Sequence, residues 1–338
     1  DEFFGGGLTI RATMDPDLQK EAAKALRTGL EAYDRAHSPW RGPAAILPAE
    51  ALKSGEGWRE ALSGLTLARD IEDWHPAVVL EVGDKTARIG IEGVEADADG
   101  HFLSFAEENE WAKNREDSDG NKTPMRKPSD MWAVGDVIYV KPERDEAGGV
   151  TRWTLRQIPG IQGGFMAMDT NTGRVLAMQG GFSYQESVFN RATQAMRQPG
   201  SSIKPFVYAS ALDSGYSPVS IIIDAPIEID TPQGLWTPKN ASNQYYGTAP
   251  LRIGIEQSRN LMTIRLAKEI GMDVVADYAE RFGVYDNMNT FLANALGSQE
   301  TTLFRMVSAY AMFANGGERV EPTMVDRVQD RFGTTIYK

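Results

Sequence analysis

The sequence predicts an α+β protein of several domains, in which a small β-barrel precedes a region that combines a sheet with a helical lobe. Three observations lead to this prediction. The chain has 338 residues, 41% of them hydrophobic, which is enough for two or three cores. Short alternating runs dominate residues 76–157, and helical patterns dominate residues 201–315. We place a connecting region at residues 1–72, the barrel at 73–158 and the third domain at 159–338.

An amphipathic helix is predicted at the start of the connecting region. Asp15 is a favourable N-cap, and Pro16 suits the first helical position because an N–H there would have no helical partner anyway. Apolar residues recur at helical spacing from residue 18 to residue 30, so the helix should run to about Tyr33. We interpret this helix as scaffold.

Five short strands are predicted in the second region, at residues 78–82, 86–91, 101–105, 137–140 and 151–157. Five such strands separated by polar loops are typical of a small barrel of the oligonucleotide/oligosaccharide-binding (OB) type. Its tryptophans could bind sugar, but we favour a place in the barrel core or rim for all three, Trp111, Trp132 and Trp153. The acidic stretch at residues 106–119 is interpreted as a solvated loop.

The third region begins after Pro159-Gly160. Residues 165–169 and 174–178 form a predicted hairpin around Asn171-Thr172-Gly173, and helices then dominate. This order predicts a sheet flanked by a helical lobe, with a cleft between the two that can exclude water and accept an extended ligand.

A serine stands three residues before a lysine at Ser201 and Lys204. A serine hydroxyl is a weak nucleophile until a base takes its proton, and a lysine one helical turn further on can be that base. Gly200 can turn the chain tightly, and Pro205 is tolerated only near a helix start, so the helix should begin close to Ser201. The positive end of that helix disfavours an ammonium and favours a developing oxyanion. The alternative is a surface helix start with a solvated lysine.

A second candidate element is Ser258-Arg259-Asn260, which reads as a short loop between an apolar segment and a strongly helical one. Such a loop can aim a hydroxyl and a carboxamide into a cleft, so that Ser258 passes a proton between Lys204 and a leaving amine and Asn260 binds a substrate amide. The alternative is an ordinary helix N-cap, because serine and asparagine are both favoured there.

Composition argues against several other kinds of site. The net charge of −12 and the lack of a basic patch argue against nucleic-acid binding. The chain has no cysteine, so disulfides, thiol catalysis and cysteine zinc sites are excluded. The three histidines, His37, His75 and His101, lie in the first third beside turn residues, and we expect them at the surface. No metal-binding or nucleotide-binding motif is present, so we expect neither a metal nor a cofactor.

The two candidate elements occur in the order found in penicillin-binding proteins and class A β-lactamases, whose signature joins Ser-x-x-Lys, Ser-Asp-Asn and Lys-Thr-Gly. Residues 189–206 resemble the nucleophile region of the class A, bifunctional penicillin-binding proteins, and residues 169–181 (DTNTGRVLAMQGG) resemble the hairpin before it. Further segments similar to that family are residues 13–19 (TMDPDLQ), 40–43 (WRGP), 237–240 (TPKN), 295–300 (ALGSQE) and 308–317 (SAYAMFANGG). The resemblance implies a penicillin-binding transpeptidase fold, related to serine β-lactamases, with an OB-like domain.

The printed sequence departs from that family in lacking a Lys-Thr-Gly or Lys-Ser-Gly triplet. In the family this motif lies on a strand that lines the cleft, and the backbone near it supplies one of two oxyanion donors. Removing one such donor typically lowers the rate by about 100- to 1,000-fold, so we expect weak acylation by the chain as printed. We also expect the chain to be a fragment, because it begins at Asp1 and shows neither a membrane anchor nor a glycosyltransferase domain.

The resemblance implies a D,D-transpeptidase of peptidoglycan synthesis. Ser201 would form an acyl-enzyme with D-Ala-D-Ala stem peptides, with Lys204 as base, Ser258 as proton shuttle and Asn260 as substrate-binding residue. β-Lactams would acylate the same serine, and cell-wall regulatory proteins are the partners considered for the OB-like domain. The implied location is the periplasmic face of the bacterial inner membrane, with an anchor in the full-length protein.

Two alternatives from other classes stay open. A serine β-lactamase would use the same serine and lysine. A non-catalytic scaffold that binds the cell wall is suggested by the missing triplet.

Overall fold

A computed structural model of the protein describes residues 7–95, 100–116, 122–232 and 234–338. The chain divides into two compact units. The helical unit consists of the described parts of Asp1–Lys20, Phe165–Met178 and Arg191–Lys338, and the barrel unit of those of Glu21–Gly164 and Gln179–Asn190. Because both units are discontinuous in sequence, the predicted boundaries at residues 72 and 158 do not correspond to them one to one, and that three-part division stays a prediction.

The described residues contain eight α-helices. They are α1 (Pro16–His37), α2 (Gly55–Ser63), α3 (Pro128–Met131), α4 (Lys204–Asp213), α5 (Leu251–Glu256), α6 (Asn260–Ile270), α7 (Met272–Arg281) and α8 (Leu303–Ala314). Helix α1 begins as predicted, because Asp15 Oδ1 accepts hydrogen bonds from the N–H groups of Asp17 and Leu18 at 3.0 and 3.1 Å. It ends about one turn later than the predicted Tyr33. No helix among these residues is long and apolar enough to cross a bilayer.

The barrel unit contains the predicted five-stranded barrel. Its strands are β3 (His75–Val82), β4 (Thr86–Ile91), β5 (His101–Ser104), β8 (Asp136–Arg144) and β9 (Val150–Arg156). They follow the order β8-β3-β4-β5-β9, and pairing of β8 with β9 closes the barrel. The short strand β2 (Ala45–Ile46) pairs with β8, and β6 (Asn114–Glu116) pairs with β7 (Lys122–Pro124). The barrel prediction is therefore confirmed.

The barrel core is apolar and includes two of the three tryptophans. Trp132 and Trp153 are buried among aliphatic side chains from the strands, and Trp111 packs against this cluster. This confirms the core position for Trp132 and Trp153, and Trp111 is half-buried against the same cluster. Helix α2 packs on the barrel across Gly90, where a β-carbon would lie 2.6 Å from the Trp58 ring, so only glycine permits this approach.

Two expectations for the barrel unit were wrong in part. Only His37 is exposed, whereas His75 and His101 are half-buried and each meets the Trp153 ring edge-on at 5.6 and 5.8 Å. The acidic stretch at 106–119 is not a plain loop, since it forms a 3-10 helix at Glu107–Ala112 and then strand β6. Residues 117–119 lie outside the described part of the chain.

The helical unit has one large apolar core and several small sheets. Its core is built from α4 to α8, with Ile203, Phe206, Val207 and Met262 fully or almost fully buried. The sheets are formed by β1 (Thr9–Ala12) with β16 (Val325–Gln329) and β17 (Thr335–Tyr337), by β10 (Phe165–Met168) with β11 (Val175–Gln179), by β12 (Ile221–Asp224) with β15 (Gly247–Pro250), and by β13 (Ile229–Thr231) with β14 (Gly234–Trp236). The hairpin of β10 and β11 was predicted. The ribbons β12–β15 and β13–β14 were missed, because strands of three or four residues carry too little alternation to detect.

Candidate active site

Ser201 lies on a single 3-10 turn, Gly200–Ile203, that leads directly into α4. Gly200 adopts φ +54°, which glycine reaches without strain, and Pro205 occupies the first turn of α4, where its missing N–H leaves no broken bond. Ile203 points into the core, and Ser201 is exposed. The helix therefore starts where the sequence predicted, with the candidate nucleophile at its entrance.

Backbone hydrogen bonds from residues 297–301 stabilise the turn Gly200–Ile203, here called the serine turn, and the segment that leads into it. The sequence did not predict these contacts. The Gly200 N–H donates to the Gly297 carbonyl at 3.2 Å, and Arg197 and Thr301 exchange two backbone hydrogen bonds of 2.9 Å. At Gly297, which has φ +75°, a β-carbon would lie 2.2 Å from the Gly200 oxygen. Residues 295–300 resemble the family, but nothing in their spacing predicts these contacts with the serine turn.

Lys204 is buried, with only 2% of its surface exposed. Its Nζ donates to the Ser258 carbonyl at 2.7 Å, to Ser258 Oγ at 3.1 Å and to Asn260 Oδ1 at 2.7 Å. The structure thus brings Lys204, Ser258 and Asn260 together, and the solvated-lysine alternative is wrong. Among the described residues no hydrogen bond joins Ser201 to the Lys204 amine, so proton transfer between these two groups stays a prediction.

The loop that carries Ser258 joins α5 to α6, as predicted. Ser258 has φ +50°, an uncommon backbone conformation for a residue with a side chain. The N-cap of α6 is Arg259, and no side chain caps this helix. The N-cap alternative is therefore wrong, because the hydroxyl of Ser258 and the carboxamide of Asn260 are directed to Lys204 instead.

The surroundings of Lys204 make its amine easier to deprotonate than a solvated lysine. Burial lowers the pKa of Lys204 to about 8, with a further contribution from the positive charge of Arg259. The three groups that Nζ contacts all accept hydrogen bonds from an ammonium. When the proton leaves, the amine lone pair needs a donor, and of the three only the Ser258 hydroxyl carries a hydrogen. Lys204 and Ser258 can therefore exchange donor and acceptor roles.

Both polar atoms of the Asn260 carboxamide form hydrogen bonds within the protein. Its Oδ1 accepts from Lys204, and its Nδ2 donates to the Lys239 carbonyl at 2.9 Å. The amide thus links the loop of Lys239 to the buried lysine. Substrate binding by Asn260 stays a prediction, and the positioning of Lys204 is a role that the sequence analysis did not foresee.

Comparisons with known proteins find matches to both parts of the chain. Residues 163–338 match the penicillin binding protein transpeptidase domain, and residues 40–161 match the penicillin-binding protein OB-like domain. Penicillin-binding protein 1A of Rickettsia typhi is 41% identical over 341 residues, which cover 100% of this chain and 40% of the relative. The protein of the same name from Vibrio cholerae is 35% identical over 341 residues, with 99% and 40% covered. The chain therefore spans about 40% of the length of these curated relatives.

Solved structures show the same fold. The crystal structure of penicillin-binding protein 1A from Haemophilus influenzae matches with a TM-score of 0.81 at 33% identity, covering 98% of this chain and 46% of that one. PonA1 from Mycobacterium tuberculosis, solved in complex with penicillin V, shares the fold with a TM-score of 0.54 at 17% identity and covers 100% of this chain and 60% of its own. The predicted fold class and the resemblance to class A enzymes are thereby confirmed. Since the transpeptidase match alone covers more than half of the sequence, this chain belongs to the penicillin-binding protein transpeptidase family.

Proposed function

We propose that this chain carries the D,D-transpeptidase region of a peptidoglycan-synthesising enzyme and that Ser201 forms its acyl-enzyme. The observation that carries the proposal is the buried amine of Lys204, which lies one helical turn after an exposed serine and is hydrogen-bonded to the Ser258 hydroxyl. A buried lysine with a lowered pKa can act as a base near neutral pH, which a solvated lysine cannot.

The first step is acylation. Ser201 Oγ attacks the carbonyl carbon of the penultimate D-Ala while neutral Lys204 takes the hydroxyl proton. The tetrahedral intermediate then collapses, the peptide bond breaks, and terminal D-Ala leaves as an amine that receives its proton through Ser258. In the second step an amine of a neighbouring stem peptide attacks the ester, and its proton returns Ser201 to the hydroxyl form.

The oxyanion of the tetrahedral intermediate requires two hydrogen-bond donors, and the start of α4 can provide one of them. The backbone N–H of Ser201 lies at the entrance of α4, where the helix dipole favours negative charge. A second donor would come from the strand that carries Lys-Thr-Gly in the family. Because that triplet is absent from the printed sequence, we expect full activity only from a longer protein that contains both parts.

We propose Ser201 as the site of β-lactam acylation, because a β-lactam would react with the same nucleophile. The proposed location is the periplasmic face of the bacterial inner membrane, with a membrane anchor in the full-length protein. Cell-wall regulatory proteins remain the proposed partners of the OB-like domain.

Covalent labelling by a fluorescent penicillin tests the assignment in a full-length protein that contains this chain. Ser201→Ala should abolish labelling, because the attacking oxygen is gone. Ser202→Ala is the matched control, since Ser202 is also exposed on the same turn and the proposed reaction does not use its side chain. Undiminished labelling of Ser201→Ala would reject the assignment.

Intact mass measurement separates the alternatives. A transpeptidase keeps the mass of the bound penicillin, whereas a serine β-lactamase loses it within minutes while consuming the drug. A non-catalytic scaffold gains no mass at all.

A further inference from the structure

A buried ion pair lies directly beside the lysine site. Arg259, between Ser258 and Asn260 in the chain, is 4% exposed, and Asp224 at the end of β12 is fully buried. Arg259 Nε donates to Asp224 Oδ2 at 2.9 Å, and Nη2 lies 2.7 Å from the same oxygen. Two more guanidinium contacts go to the Ser242 hydroxyl at 3.0 Å and to the Gln244 carbonyl. The guanidinium also stacks on the Tyr246 ring, 4.2 Å from its centre.

Asp224 and its neighbours tie this ion pair to the start of α6. Asn240 Nδ2 donates to Asp224 Oδ1 at 2.7 Å, and Asn240 Oδ1 accepts from the Leu261 N–H at 3.2 Å. The backbone of Arg259 is held as well, since its N–H donates to the Gly254 carbonyl at 2.8 Å and its carbonyl accepts from Thr263 Oγ1 at 2.9 Å. Both the side chain and the backbone of Arg259 are therefore immobilised.

Stability alone does not explain why Arg259 and Asp224 are buried, because a buried ion pair often contributes no more stability than an apolar pair of the same size. The immediate neighbours of Arg259 are the two residues that contact the Lys204 amine. Ser258 keeps its positive φ only because the surrounding structure imposes it. Fixing Arg259 fixes the hydroxyl on one side of it and the carboxamide on the other.

We propose that Arg259 is a positioning residue that holds the Ser258 hydroxyl and the Asn260 carboxamide on the Lys204 amine. Its guanidinium charge also disfavours the ammonium form of Lys204. The proposal rests on the proposed function, since it concerns the base of the acylation step. Without the charge of Arg259, Lys204 would remain an ammonium to higher pH and acylation would require a more alkaline solution.

The other titratable groups around Lys204 do not supply this charge. On α4 itself, burial raises the pKa of Tyr208 to about 12, so this phenol stays neutral, and its hydroxyl lies 3.3 Å from Thr263 Oγ1. On β12, Asp224 is paired with Arg259, and the 3-10 helix Leu292–Leu296 contains no titratable residue. On the adjacent helices α5, α6 and α7, Arg252 pairs with Glu256, Glu269 accepts a hydrogen bond from the Tyr216 hydroxyl, and Arg281 pairs with Asp277.

The test is the pH dependence of penicillin acylation in a full-length protein that contains this chain. We expect the wild-type rate to rise with pH and reach half of its plateau near pH 8, where Lys204 becomes neutral. Arg259→Gln should move this midpoint upward by about half a pH unit or more, so that the rate at pH 7 falls about threefold beyond any change in the plateau. Arg259→Lys disturbs the same contacts but keeps the charge, so its midpoint should stay near that of the wild type.

A purely structural role would lower the plateau of both variants alike and leave both midpoints in place, and this result would overturn the proposal. If Arg259→Gln fails to fold, Asp224→Asn decides the question. Removing the carboxylate leaves the charge of Arg259 uncompensated, so the midpoint should move to lower pH; an unchanged or higher midpoint would contradict the proposal. Failure of the proposed function is a separate result, because it would appear as labelling that survives Ser201→Ala.

Discussion

The barrel core and the lysine site differ in whether they bury charged side chains. The barrel core buries aliphatic side chains and tryptophans, and the ion pair of Arg152 with Glu143 on its strands is exposed to solvent. The lysine site buries Lys204, Arg259 and Asp224, and Arg259 lies in sequence between the two residues that contact the Lys204 amine. Exposed pairs contribute little to stability, and buried charges are costly unless fully paired. Charge is thus buried in the helical unit at the place where we propose that a proton must move.

The barrel unit also has a buried charge, and its environment shows the difference between a structural and a reactive group. Asp34 on α1 is 2% exposed and accepts hydrogen bonds from Arg41, Gln157 Nε2 and the Gly160 N–H. Burial alone would raise the pKa of Asp34, but these hydrogen bonds and the charge of Arg41 outweigh it and lower the pKa. The surroundings of Asp34 stabilise its charged form, whereas those of Lys204 destabilise it.

Replacing the buried lysine should give the largest effect. Lys204→Met keeps the length of the side chain and removes the base, so we expect the acylation rate to fall by about 100- to 10,000-fold. The protein also loses a desolvated charge, so its thermal midpoint should change by no more than about 3 °C. Stopped-flow acylation and calorimetry would check both values. A large loss of stability together with normal labelling would mean that Lys204 is structural, as Asp34 is.

A β-carbon at Gly297 should have the next largest effect. Gly297→Ala places a methyl group 2.2 Å from the Gly200 oxygen, so the serine turn must move. We expect about a 10- to 100-fold lower acylation rate and a loss of about 1–3 kcal/mol in the free energy of unfolding. Gly316→Ala is the matched control, since Gly316 also has a positive φ, +86°, but no atom lies within 4 Å of the added carbon. Equal acylation rates in the two variants would show that the contact between Gly297 and Gly200 does not position the serine turn.

The smallest effect on the reaction is expected in the barrel unit. Asp34→Asn should lower the free energy of unfolding by about 1–3 kcal/mol at pH 7, because a charged hydrogen-bond acceptor is lost. It should leave acylation unchanged, because Asp34 has no part in the proposed reaction. Denaturant unfolding would measure the loss, with Glu143→Gln, in an exposed ion pair, as a control expected to change by under about 0.5 kcal/mol.

The pH dependence of the same variant sharpens the test. The folded-state pKa of Asp34 is lowered, so its contribution is complete above the unfolded-state pKa of about 3.9 and disappears as the pH falls through the folded-state value. The difference between wild type and Asp34→Asn should therefore shrink below about pH 4. A difference that stays constant down to pH 2 would show that Asp34 acts through packing alone.

Much of the fold follows from local patterns. The five barrel strands, helix α1, the hairpin of β10 and β11 and the start of α4 at Ser201 all depend on alternation, helical spacing, or a glycine or proline at one position. Such preferences act between residues a few positions apart, so they can be read along the chain. The same holds for the choice of Ser201, Lys204, Ser258 and Asn260 as candidates, because each stands in a short motif.

The partners of those candidates were decided only by the tertiary structure. Lys204 bonds across 54 and 56 residues to Ser258 and Asn260, Arg259 pairs with Asp224 across 35 residues, and Gly297 supports the turn at Gly200. The sequence contains many possible hydrogen-bond acceptors for each of these donors, and periodicity does not indicate which of them becomes the partner. The selection comes from the packing of α4 to α8 around one apolar core, which brings these groups together and excludes water from them. The sequence alone therefore determined which residues are available for chemistry, and the packed core decided which of them meet, because burial and long-range contacts exist only once the chain has folded.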